Sequence, residues 1–333
     1  MLPDAFGRPL RDLRISITDK CNFRCVYCMP KEVYGREFHF LGRSELLTFE
    51  EIERLAGIFV GIGVRKIRLT GGEPLLRREV ERLVAMLAAI SGIDLSLTTN
   101  GSLLAGKART LAEAGLRRLT VSLDSLDDEV FMAMNDVGFP ASRVLEGIDA
   151  AVQAGLTPVK INMVVRRGVN EDSVVPMARH FRGSGHIVRF IEYMDVGTTN
   201  GWRLDDVVPA AEILAHIDEV FPLEPQQPNY DGEVANRYRY RDGGGEIGII
   251  ASVTQPFCGT CTRARVTADG KLYTCLFGSQ GHDLRALLRS ETSEDDLALA
   301  ISRIWGVRED RYSELRTVET PGLPRPEMSY IGG

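Results

Sequence analysis

Residues 11–28 read RDLRISITDKCNFRCVYC. Leu13, Ile15 and Ile17 alternate with Arg14, Ser16 and Thr18, the period of a strand with one apolar and one polar face. Cys21, Cys25 and Cys28 follow directly, in the loop that leaves this strand. The same alternation returns further along. Ile67 and Leu69 oppose Lys66, Arg68 and Thr70; Leu95 and Leu97 oppose Ser96, Thr98 and Asn100; Val121 and Leu123 oppose Thr120, Ser122 and Asp124; Ile161 and Met163 oppose Lys160 and Asn162. A sixth strand is expected over 188–193. Helical segments separate the strands, one opening at Thr48 and Glu51 with capping-box spacing and another spanning about 77–90.

This βα rhythm predicts an α/β fold with parallel strands from residue 10 to 195. The apolar stripes must face the covering helices, which turns the polar stripes inward. A closed eight-stranded barrel has a packed apolar interior and would leave such groups unpaired. An incomplete (β/α)6 TIM-like half barrel around a solvent-filled or ligand-filled cavity accommodates them. A one-sided antiparallel sheet would also carry polar stripes, but the intervening helices count against it. After Asp195 the rhythm breaks: 209–220 reads as a helix, 221–250 is rich in Pro, Gly and Tyr, and Arg265 to Cys275 reads as a hairpin turning at Asp269 and Gly270. Residues 196–333 are therefore expected to form a smaller C-terminal domain that completes the cavity.

The chain has 333 residues, 44% of them hydrophobic, and a formal net charge of −6. It has no apolar run long enough to span a membrane and no basic excess for nucleic acid, so a cytoplasmic protein with neither partner is expected. An anionic ligand would need a local basic site. The six cysteines fall into two triplets, Cys21, Cys25, Cys28 and Cys258, Cys261, Cys275. A reducing compartment disfavours a disulfide framework, and two three-ligand metal sites are the simplest grouping. Three thiolates can hold three corners of a cubane and leave the fourth iron open. A zinc site completed by His39 is the alternative for the first triplet, although a three-residue gap between cysteines fits zinc poorly.

The Cys-x3-Cys-x2-Cys triplet with Tyr27 before its last member resembles the signature of the radical S-adenosylmethionine superfamily. Thr70-Gly71-Gly72-Glu73-Pro74 resembles that superfamily's GGEP motif, which places Glu73 at the cofactor's amino group. The second triplet, with Phe257 to Arg265 around it, resembles one branch, the GTP 3',8-cyclase family of molybdenum cofactor biosynthesis. The resemblance runs through Arg14 to Asp19, Thr98 to Gly101, Ser122 to Asp124, Phe190 to Asp195 and Tyr330 to Gly333, with no departure at a motif position.

The resemblance implies two 4Fe-4S clusters, one on each triplet, with S-adenosylmethionine on the open iron of the first and guanine at the open iron of the second. Tyr27, Gly72, Ser122 and Met194 would line S-adenosylmethionine. Arg14, Arg68, Thr98, Lys160, Arg189, Arg263, Ala264 and Arg265 would surround GTP. Reductive cleavage of the cofactor would yield a radical that takes hydrogen from ribose C3', after which that carbon attacks guanine C8. Flavodoxin or ferredoxin would supply the electron, and the product would pass to cyclic pyranopterin monophosphate synthase, with the enzyme a monomer or homodimer. The terminal Tyr330-Ile331-Gly332-Gly333 would reach the cavity mouth.

The residues speak independently for an anionic substrate, because Arg14, Arg68 and Lys160 share polar strand faces and Arg263 and Arg265 alternate beside a cysteine. Two rival readings are a peptide-modifying radical enzyme and a non-catalytic iron-sulfur protein. Neither gives a purpose to a basic cavity.

Overall fold

The computed structural model describes residues 2–316 and 325–332. Twelve strands among these form one sheet: β1 (Asp12–Ser16), β2 (Lys66–Thr70), β3 (Asp94–Thr99), β4 (Arg118–Ser122), β5 (Val159–Val165), β6 (Ile187–Glu192), β7 (Leu223–Gln226), β8 (Asn236–Tyr240), β9 (Glu246–Ile250), β10 (Arg263–Val266), β11 (Lys271–Tyr273) and β12 (His282–Asp283). Neighbouring strands β10-β1-β2-β3-β4-β5-β6-β9 run parallel, with antiparallel extensions β11-β12 and β8-β7 at the two edges. The six strands expected from alternation are present, and strands from beyond residue 195 join the same sheet on both sides.

The apolar stripes build the core as expected. Leu13, Ile15, Ile67, Leu69, Leu97, Val121, Ile161 and Met163 are buried together with Phe59, Leu83, Leu111, Ile148 and Met177 of the covering helices. The helix Phe49–Gly61 starts with the full Thr48–Glu51 capping box. The next, Val80–Ala88, begins later than its periodicity suggests, because Glu79 sits in the left-handed region at φ 60°.

The sheet is curled, and its polar face lines the inside. In a flat sheet β8 and β10 would stand eight strands, about 38 Å, apart. Here a Cβ added to Gly232, in the β7–β8 connection, would lie 2.7 Å from the carbonyl oxygen of Thr260, just before β10. Likewise the Lys66 ammonium on β2 lies 2.9 Å from the ring centroid of Tyr230 in that same connection. The ladder does not close, since β12 and β7 are its ends. The result is an open barrel with a polar cavity.

Candidate active site

The first cysteine loop is pinned to the end of β2 by two glycines. A Cβ on Gly71 (φ +144°) would lie 2.3 Å from the Thr18 carbonyl oxygen, and one on Gly72 would lie 2.3 Å from that of Lys20. The Gly72 and Glu73 N–H groups donate to those same two carbonyls at 2.8 Å. Only glycine permits this approach. Glu73 itself is fully buried and accepts from the Leu75 N–H (2.9 Å), the Thr99 hydroxyl (2.7 Å) and the Asn100 N–H (2.7 Å). Burial pushes its carboxyl up to about 7 despite these donors. Its oxygens are engaged by the end of β3, so Glu73 locks β2 to β3.

Arg24 braces the loop from within, donating to the carbonyls of Cys21 (2.9 Å), Phe23 (2.7 Å) and Tyr34 (2.8 Å). The three thiols are free and half-buried. Burial, then the Glu73 charge, pushes Cys21 up to about 11; burial, joined by Cys21, pushes Cys25 and Cys28 well above the usual thiol range. A metal must therefore displace their protons. Among the described residues no group of three or more His, Cys, Asp or Glu is placed to hold a single metal ion, and His39 is exposed. A cluster makes a different demand, since each thiolate binds its own iron. Three adjacent thiols on one braced loop fit it.

The residues expected around S-adenosylmethionine gather at this C-terminal end of the parallel strands. The Tyr27 hydroxyl donates to Asp124 Oδ2 (2.8 Å), while Asp124 Oδ1 accepts from the Val164 N–H (2.9 Å). Ser122 ends β4, Gly72 follows β2, and Met194 follows β6, its carbonyl accepting from Asn200 (3.1 Å).

The second triplet occupies the other end. Cys258 and Cys261 precede β10, and Cys275 follows its antiparallel partner β11, so all three lie at the end where the parallel strands begin. Burial alone would raise the Cys261 thiol, but the guanidiniums of Arg263 and Arg308 bring it down to about 6. Arg263 donates to Cys261 Sγ at 3.3 Å. Burial and Asp310 push Cys275 up to about 12.

Between the triplets runs a belt of cations set by strand register. Arg265, Arg14 and Arg68 are in register across β10, β1 and β2; Thr98, Thr120 and Lys160 across β3, β4 and β5; Arg189 lies opposite Asn162. Arg68 donates to the Thr98 hydroxyl and Arg189 to that of Thr120, each at 3.2 Å. Burial, then Arg265, Arg68 and Arg263, lowers Arg14 well below its ordinary value. Burial and Arg189 bring Lys160 down to about 8, burial and Arg68 bring Arg189 to about 9, and burial and Arg263 bring Arg265 to about 9. Arg189 Nε is a buried donor without an acceptor. Such mutual repulsion is relieved by a polyanion. Ala264 differs from its neighbours: it is 1% exposed and lies in the apolar core, so its side chain is not part of the polar lining.

The chain's end enters this cavity. Ile331 is fully buried, the Tyr330 hydroxyl donates to Asp269 (2.9 Å), and Arg265 donates to the Gly332 carbonyl. A Cβ on Gly332 would lie 2.4 Å from the Thr70 methyl. Gly333 lies outside the described residues. The sequence reading missed the supports of the second loop, Asp4, Arg8 and Arg308. They come from opposite ends of the chain, and no spacing links them.

Comparison with known proteins agrees with this geometry. The model of the radical SAM superfamily matches residues 15–181, and that of molybdenum cofactor synthesis C matches residues 186–314. A protein of Acidothermus cellulolyticus named GTP 3',8-cyclase is 58% identical over 99% of this chain and 98% of its own. One of the same name from Staphylococcus carnosus is 49% identical over 100% of this chain and 99% of its own. Among solved structures, Streptococcus suis SuiB bound to S-adenosylmethionine superposes with a TM-score of 0.62 at 15% identity, covering 89% of this chain and 68% of that one, which shows the fold alone. With sequence identity of this order running end to end, and a cysteine triplet at each end of one basic cavity, the chain belongs to the GTP 3',8-cyclase family of radical SAM enzymes.

Proposed function

We propose that this chain cyclises GTP to (8S)-3',8-cyclo-7,8-dihydroguanosine 5'-triphosphate, the first step of molybdenum cofactor biosynthesis. The full-length likeness to GTP 3',8-cyclases and the two family models support that activity. The observation that carries the residue assignments is the belt Arg265–Arg14–Arg68 lying between two cysteine triplets at opposite ends of the strands. The enzyme uses S-adenosylmethionine and an iron-sulfur cluster. In this reading Cys21, Cys25 and Cys28 hold a first 4Fe-4S cluster, and Cys258, Cys261 and Cys275 a second.

When bound, these groups supply the one-electron chemistry. The protein supplies position, charge and exclusion of water. Tyr27, Gly72, Ser122 and Met194 would line S-adenosylmethionine at the first triplet. Arg14, Arg68, Thr98, Lys160, Arg189, Arg263 and Arg265, with the backbone of Ala264, would hold GTP so that its ribose faces that end and its base the second triplet. Residues 10–195 would form the radical-generating unit and 196–333 the unit for the second cluster. A cytoplasmic setting, reduction by flavodoxin or ferredoxin, and hand-over to cyclic pyranopterin monophosphate synthase complete the proposal. The test is anaerobic incubation of reconstituted protein with GTP, S-adenosylmethionine and dithionite, followed by mass spectrometry. The cyclised nucleotide is expected, and cofactor cleavage without any change in GTP would overturn the reading.

A further inference from the structure

Both cysteine loops have guanidinium donors on their cysteine carbonyls, but the arginines differ in origin. In the first loop the donor is local, Arg24 on the Cys21 carbonyl. In the second, Arg8 donates to the Cys258 carbonyl and Arg308 to the Cys261 carbonyl, both at 2.8 Å. One carboxylate oxygen, Asp4 Oδ2, accepts from both of these arginines, at 2.6 Å from Arg8 and 3.1 Å from Arg308. The other, Oδ1, accepts from the N–H groups of Phe6 (3.0 Å) and Arg8 (2.9 Å). All three residues are buried, at 6%, 3% and 4% exposure for Asp4, Arg8 and Arg308. Trp305 fixes the arrangement further, donating to the Arg8 carbonyl at 3.2 Å and lying under the Arg308 guanidinium at 4.6 Å.

We propose that Asp4, Arg8 and Arg308 are positioning residues that hold Cys258 and Cys261 in their ligating arrangement before iron arrives. Cys258 and Cys261 flank a single short turn, and a ligand pair on so short a segment keeps its shape only if the peptide planes on both sides are held. One guanidinium nitrogen on each carbonyl holds them, and a shared buried carboxylate holds the two guanidiniums. Removing the Asp4 charge leaves two buried guanidiniums without their common partner, so the brace fails as a unit. This inference rests on reading the second triplet as a cluster site.

The experiment uses the full chain carrying Cys21→Ala, Cys25→Ala and Cys28→Ala as parent, so that any cluster reconstituted with iron and sulfide is the second one. Into it are placed Asp4→Asn or, more mildly, Arg308→Lys, which keeps the charge and loses the fork. The parent is expected to hold one cluster, Asp4→Asn to lose its iron to a chelator about 10- to 100-fold more readily, and Arg308→Lys to fall between. Asp4→Asn in the chain with all six cysteines should keep the first cluster's spectrum and its reductive cleavage of S-adenosylmethionine. Iron retention equal to the parent's in both variants would overturn the brace, as would loss of the first cluster along with the second. A parent that holds no iron would overturn the two-cluster reading itself, and this proposal with it.

Discussion

Arg265 on β10 donates a hydrogen bond to the carbonyl of Gly332, so a cation assigned to the substrate's phosphates also seats the C-terminal segment. Glu327 anchors that segment further back, accepting from the Thr198 N–H (2.8 Å) and from the hydroxyls of Thr198 and Thr199 (2.9 Å each). In the proposed reading, segment and substrate would share a wall of the cavity.

Deleting Gly332 and Gly333 is expected to leave both clusters and most GTP affinity intact while stopping formation of the cyclised nucleotide. Gly332→Ala should act in the same direction, because its φ of +74° disfavours a side chain and the added methyl meets Thr70. Product formation by the truncated protein at the full-length rate would show the segment to be inert.

Lys160→Ala, Arg263→Ala and Arg265→Ala should each weaken GTP binding about tenfold or more, since a charge-assisted hydrogen bond contributes roughly 1.5–3 kcal/mol. Guanosine affinity should change far less. Lys160 adds a pH dependence. Burial and Arg189 hold its ammonium at about 8, so the charged form that attracts phosphate is complete below that pH and is lost as pH rises through it. GTP affinity should fall in that window, and Lys160→Arg should flatten the fall. Calorimetry across the range checks both.

Gly72→Ala places a methyl 2.3 Å from a backbone oxygen of the first cysteine loop, which has no flexible side chain to yield. Cleavage of S-adenosylmethionine should drop sharply while the spectrum of the second cluster persists. Wild-type cleavage would mean that the loop shifts at no cost.

Replacing Cys21, Cys25 and Cys28 by Ala should abolish cofactor cleavage and leave one cluster's spectrum. Replacing Cys258, Cys261 and Cys275 should leave cleavage and remove the cyclised product. Loss of both spectra in either variant would point to one shared site.

The half barrel was legible because each of its strands carries its own alternation, from Leu13–Arg14 to Ile161–Asn162, and a two-residue period needs no distant partner to be seen. Strands β7 and β8 were not legible: Pro225 and the polar run NRYRY give a weak strand signal at a sheet edge. Arg14, Arg68 and Lys160 could be named from their polar faces and Arg189 only from the resemblance, and the convergence of all four depends on register and on the curl of the sheet. Ala264 shows the limit of a motif, which marks a position without saying whether side chain or backbone faces the ligand. Asp4, Arg8 and Arg308 were invisible because only the folded chain brings residues 4–8 to 305–310.

The pairing of β1 with β10 governs when the molecule can become whole. The hydroxyl of Thr262, just before β10, reaches Asp12 at the start of β1 across 250 residues of chain. During synthesis β1 pairs with β2 early, but its other edge stays bare until β10 emerges, and β6 waits in the same way for β9. Both edges present unpaired N–H and C=O groups, templates for mispairing with other nascent chains. Of the two, the β1–β10 contact closes by far the longer loop and is expected to form later, whereas β6–β9 closes one hardly longer than β1–β2. The second cysteine loop depends on the β1–β10 closure because it leads into β10, whereas the first is already held against the end of β2. The second triplet is thus expected to take up iron only once β10 has emerged and paired with β1.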